Sequence, residues 1–190
     1  HDGNDAYKLL SPNGTPIDQI GSGTDGPWDV SGVTDATEDK VLVRKDNITQ
    51  GTDDWEESRG TTTTDSQWIV SEHPDDNNYL GLGSHSHVSE SESESLSESE
   101  SAPAELFFSE YAESDSIKYI EIYNPKDTEV DLGEYGLLFY NDGVFSDALT
   151  PDPGTIMIAP GEVIILTNQE TADVLYPNGT PSGVLVDPLF

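Results

Sequence analysis

Residues 105–124 read ELFFSEYAESDSIKYIEIYN. Their second part, IKYIEIYN (117–124), is a short run of Ile and Tyr with no helical period, and six more stretches have the same character: DAYKLL (5–10), KVLVRK (40–45), SQWIV (66–70), YGLLFY (135–140), TIMIA (155–159) and EVIILTN (162–168). Clusters of Gly, Pro, Asn and Asp separate them. Turn-forming triplets recur between the runs: PNG at 12–14 and 177–179, NDG at 141–143 and APG at 159–161. Short β-prone segments punctuated by turn residues predict an all-β fold, a sandwich or barrel of short strands.

The composition bounds what such a fold can do. The chain has 190 residues, enough for one domain with a proper core or two small ones, and a formal charge of −31 from 38 acidic and 7 basic residues. Five of the acids (Glu90, Glu92, Glu94, Glu98, Glu100) stand in one Ser-Glu run, so the acidity belongs to the whole chain. A surface of this kind repels phosphate backbones, and the clustered Lys and Arg that nucleic acid requires are missing. Carboxylates in such excess suit a salt-rich surrounding or the collection of divalent cations. With no cysteine there are no disulfides and no thiol chemistry. No apolar run approaches the ~20 residues of a membrane helix, so no membrane insertion is expected. The opening residue, His1, suggests a chain that is processed or excised from something longer.

The segment from ELFFSEYAESDSIKYIEIYN through the turn DLGEY (131–135) to IAPGEVIILTN (158–168) resembles the first half of a bacterial-type lamin tail domain. In that family a strand reading "ISEY" precedes one reading "EIYN", then a "vdLsgY" turn and a strand introduced by Pro-Gly. Residues 3–87, with GNDAYKLLSPNGTPIDQIG, GPWDVSGVTDATEDKVLVRK, DDWEES and DSQWIV, resemble the second half. The resemblance implies an immunoglobulin-like β-sandwich. The chain then divides into 1–87, a C-terminal half; 88–104, an acidic Ser-Glu linker; and 105–190, an N-terminal half.

That order is inverted. Joining VLVDPLF (184–190) to HDGNDAYKLL (1–10) restores the family's passage from a "pl.f" strand into the next one. The sandwich is therefore expected to be permuted within one chain or strand-exchanged between neighbours, or the chain is one period of a tandem array; a start inside a hairpin favours array or exchange. In the run SESESESLSESES (89–101) the glutamates and Leu96 fall on even positions and so share one face of an extended strand, with serines on the other. Like charges spaced in this way make a stiff, solvated spacer, or a carboxylate ladder ordered by divalent ions. End-to-end assembly is expected to depend on that stiffness.

Catalytic chemistry is thin. There is no G-x-S-x-G elbow. His1, His73, His85 and His87 read as solvated loop residues, with an H-x-H metal pair at 85 and 87 as the alternative. GSGTDG (21–26) fits G-x-G-x-x-G, but Pro27 and Trp28 follow where a phosphate site needs a helix, so it is a loop. Trp28, Trp55 and Trp68 read as core and anchoring aromatics. The three Asn-x-Thr sequons, at Asn13, Asn47 and Asn178, are about as many as chance supplies, and Pro181 weakens the third. Oxygen-rich turns at HDGND and PDDNN offer calcium ligands in Asp2, Asp5, Asp75 and Asp76. Glu110 and Glu121, carried by the family's "SEY" and "EIYN" strands, join them as candidate calcium ligands, since a carboxylate on a packed strand needs a partner. The expectation is a non-enzymatic structural protein, extracellular or on the cell surface, whose partner is itself, as repeat unit or filament subunit, with calcium as stabilising ion. The alternative is a non-catalytic accessory module of a secreted multidomain protein such as an extracellular nuclease.

Overall fold

The computed structural model describes residues 3–23, 26–72, 82–85, 104–114, 117–176 and 178–186. Its strands are β1 (Ala6–Leu10), β2 (Pro16–Ile20), β3 (Lys40–Arg44), β4 (Trp68–Glu72), β5 (Phe107–Glu113), β6 (Lys118–Tyr123), β7 (Val130–Asp131), β8 (Gly136–Asn141), β9 (Val144–Leu149), β10 (Met157–Ile158), β11 (Val163–Thr167) and β12 (Val184–Val186). Among the described residues two short α-helices, α1 (Trp55–Arg59) and α2 (Gln169–Leu175), and a 3-10 turn at Leu132–Glu134 interrupt them. The sequence shows almost no helical period because neither helix exceeds two turns. Each begins at a side-chain cap: Asp54 accepts from the Glu57 amide and Asn168 from the Thr171 amide.

The strands form a four-stranded sheet in the order β2-β1-β8-β9 and a six-stranded sheet in the order β12-β11-β6-β5-β3-β4, with β10 and β7 as a separate ribbon. Neighbours are antiparallel except β11 and β12. The β8–β9 hairpin closes where Asn141 pairs with Val144, so Asp142 and Gly143 alone make the turn, both at positive φ. An Asp-Gly pair fits this primed turn, whose twist matches the strands. Of the expected strands, TIMIA is the one that shortens most, to Met157–Ile158.

Tyr7, Leu9, Ile20 and Leu137 from the smaller sheet meet Leu42, Trp68, Phe108, Tyr111, Ile120, Ile122, Ile164 and Leu166 from the larger one in a single buried core. Trp28 and Trp55 pack edge to face at its margin, so all three tryptophans are core residues as expected. Both sheets mix strands from either side of the Ser-Glu run: β1 pairs with β8 from Ala6↔Tyr140 to Leu10↔Gly136, and β3 with β5 from Lys40↔Glu113 to Val43↔Glu110. The described parts of the two halves are thus intercalated in one sandwich. Two separately closed domains are excluded.

The larger sheet is covered on both sides. Every residue of β5 and β6 is buried. Its outer face carries a second cluster of Val41, Ala112, Ile117, Tyr119 and Ile165, roofed by Leu82, Leu175 and Val184.

Candidate functional site

This covered outer face holds the most unusual polar arrangement of the fold. Glu110 of β5 and Glu121 of β6 are direct cross-strand partners, and both are 1 % exposed. A β-bulge between Phe108 and Glu110 puts them there. It moves the alternation by one residue, so that Phe108 and Tyr111 both enter the main core while Ala112 turns to the outer cluster with the glutamates.

Among the described residues, hydroxyls and an amide, rather than cations, bond the pair. Tyr119 Oη donates to Glu110 Oε1 at 2.5 Å. Glu121 accepts from Ser109 Oγ at 2.7 Å on Oε1 and from the Gly83 amide at 2.6 Å on Oε2. That last bond fastens the segment 82–85 to the sheet. His85 continues the cover, its ring lying edge-on to Tyr123 at 4.8 Å and Phe107 at 5.6 Å. Burial, followed by the neighbouring Glu121 charge, pushes the Glu110 carboxyl up to about 8 against the opposing pull of Tyr119. Burial also raises Glu121, offset in part by Ser109 and Gly83. Burial and then the two glutamates raise Tyr176, just after α2. Two buried carboxylates with no basic partner among the described residues hold a proton or take a cation.

Asp5 sits elsewhere, buried before β1, where it accepts from Lys118 Nζ and from Asn141 Nδ2. The fold therefore brings together Glu110 and Glu121 but separates Asp5 from them by pairing it with a lysine. Asp2, Asp75 and Asp76 lie outside the described residues, as do His1, His73 and His87. His85 corrects the expectation of a solvated loop residue: it is 9 % exposed and packed between two aromatic rings, because its segment folds onto the sheet. Among the described residues, no group of three or more His, Asp or Glu gathers as a metal site, and no helix is long and apolar enough to cross a membrane.

A second buried polar centre links the two sheets. Asp18 of β2 meets Arg44 of β3, and the guanidinium also donates to the Phe108 carbonyl, Ser58 Oγ and Gln67 Oε1 while lying 4.0 Å over the Trp68 ring. Sequence reasoning missed this centre, since Asp18 and Arg44 sit in unremarkable strand contexts and meet only through the fold.

The two packed sheets form an immunoglobulin-like β-sandwich, a fold shared by many binding and structural modules. The family model of the Lamin Tail Domain matches residues 99–187, and the protein carries a lamin tail domain over that span. No curated protein and no solved structure matches the chain.

Proposed function

We propose that this protein is a structural module, extracellular or on the cell surface, that assembles with further copies of itself. The observation that carries the reading is the open edge of the smaller sheet. Among the described residues β9 pairs with β8 alone, and its VFSDAL sequence has one charge on a chain of −31. Val144 is 68 % and Phe145 54 % exposed. A largely apolar strand with a single charge, whose outer edge pairs with no other described strand, is a template for another chain. β4, an edge of the larger sheet, exposes Ile69 as well, and a subunit with two such edges can propagate.

Residues 1–87 are read as the displaced second half of the same domain, because β1 and β3 supply strands to the sheets of the matched half. Calcium belongs to the proposal as a stabilising ion, with Glu110 and Glu121 as its ligand candidates among the described residues and Asp2, Asp75 and Asp76 outside them. Electron microscopy and light scattering test assembly. Wild-type protein should form particles larger than one chain at high concentration with calcium, and V144K/F145K should reduce their mass. A wild-type chain that stays monomeric there overturns the reading.

A further inference from the structure

We propose that Lys118 and Asp5 condense into an isopeptide bond, a covalent cross-link between the two sheets. Lys118 opens β6 in the larger sheet and Asp5 stands just before β1 of the smaller one, 113 positions apart and on opposite sides of the Ser-Glu run. The amine and the carboxylate are in direct contact, with side chains 4 % and 1 % exposed. Lysine is almost never buried to this degree unless paired, and here the partner is a group with which an amine can react.

A third ionisable side chain faces them. Glu113, also buried, is the cross-strand partner of Lys118 at the end of the β5–β6 ladder, and such partners have Cβ atoms about 5 Å apart. Tyr111 Oη donates to Glu113 Oε2 at 2.7 Å, and Asn141 Nδ2 donates to Asp5 Oδ1 at 3.0 Å. Lys118 Nζ lies 4.9 Å from the Phe139 ring, and Tyr7 packs against that ring at 5.5 Å and against Tyr111 at 6.0 Å. Burial, followed by the charges of Glu113 and Asp5, pushes the Tyr7 phenol well above its usual range, so both carboxylates bear on one aromatic enclosure. The enclosure keeps water out, holds nucleophile and electrophile in contact and supplies a carrier for the proton.

Proton transfer from Nζ to Asp5 Oδ2 turns the ion pair into an amine and a carboxylic acid. The Nζ lone pair then forms a bond to Asp5 Cγ, and the carbonyl electrons move onto Oδ1, where the Asn141 amide holds the charge. Nζ gives a second proton to Glu113, which passes it to Oδ2. The Cγ–Oδ2 bond breaks with its electron pair on oxygen, and water leaves as the carbonyl re-forms. The products are one amide and one water, and the balance needs no co-reactant.

The test is the mass of the full chain, purified in its folded state and unfolded for the measurement. Wild type should read one water less than its sequence requires, and trypsin should release peptide 1–8 joined to peptide 60–126, having passed over the acylated Lys118. D5A and K118R should each restore the full mass and free peptide 1–8. E113Q should keep a single cooperative melting transition yet stay unlinked, which separates proton transfer from folding. A folded wild type of full mass overturns the proposal. So does a missing water that persists in K118R, which would mark cyclisation at an Asp-Gly pair such as Asp2-Gly3 or Asp142-Gly143. An E113Q chain linked as completely as wild type overturns the role given to Glu113.

Discussion

Arg44 and Asp18 face each other across the interior of the sandwich, one from each sheet, with Nη2 2.5 Å from Oδ2 and both side chains fully buried. Asp18 also accepts the Phe108 amide at 2.8 Å and the Thr52 amide at 3.1 Å, so one carboxylate ties together β2, β3, β5 and the loop before α1. Burial raises this carboxyl against the pull of Arg44 and of those amides. Removing it deprives a buried guanidinium and three backbone donors, the amides of Gln19, Thr52 and Phe108, of their acceptor. Asp18→Ala should lose about 3–5 kcal/mol in urea unfolding, whereas D18L/R44M, which removes both charges, should recover much of the loss. Equal stability of D18A and wild type would show that the bridge is not holding the sheets together.

Stability should fall as pH rises, and Glu110 sets the window. Its carboxyl moves from 4.5 to about 8 on folding, so the folded state prefers the protonated form. That preference is fully present below the ordinary carboxylate range and is lost as pH climbs through about 8. Melting scans between pH 5 and 9 should show wild type losing on the order of 2–4 kcal/mol from this group, with Glu110→Gln flattening the slope. A slope unchanged in E110Q would place the titration elsewhere.

The strands and their turn chemistry were legible because each is a local property: apolar residues in short runs and turn residues between them. IKYIEIYN reads as a strand on any inspection. That Glu121 within it is buried was not legible, because its cover comes from α2 and from residues 82–85, segments distant in sequence. The caps at Asp54 and Asn168 were local signals that the all-β reading passed over. For Asp18 and Arg44, as for Asp5 and Lys118, pairing follows from which strands become neighbours, and no spacing rule announces it.

Excess negative charge destabilises the compact state unless cations screen it or bind. Chelation at low salt should therefore lower the melting temperature. Concentrated sodium would restore it if screening is the mechanism, and calcium alone, at millimolar levels, if defined sites exist. In the second case calcium should raise the melting point of wild type at pH 9 more than that of E110Q, since the glutamate pair is then ionised. A transition indifferent to chelator at low salt rules out both mechanisms.

The Ser-Glu run should be dispensable for folding. Its described flanks are already close, for the His85 ring packs 5.6 Å from Phe107, two residues beyond Glu105. Glu105 is itself held by Tyr135 at 2.6 Å and Lys126 at 2.7 Å. The halves therefore meet through β1–β8, β3–β5 and the Asp5–Lys118 pair, and the covalent connection needs little reach. Deleting residues 90–100 leaves 86–89 and 101–104 to connect the flanks, a span of up to about 26 Å if extended. Roughly halving a loop favours closure by about 0.6 kcal/mol, which is worth a degree or two of melting temperature in a domain of this size. Calorimetry should show the deletion variant unchanged or slightly more stable. Because the halves already pair within one chain, light scattering should show the same particle mass as wild type, against the sequence-based expectation that the stiffness of the run sets assembly. A melting point lowered by more than about 10 °C, far beyond that loop-closure scale, or particles of altered mass, would mean that the run itself governs how the halves find each other.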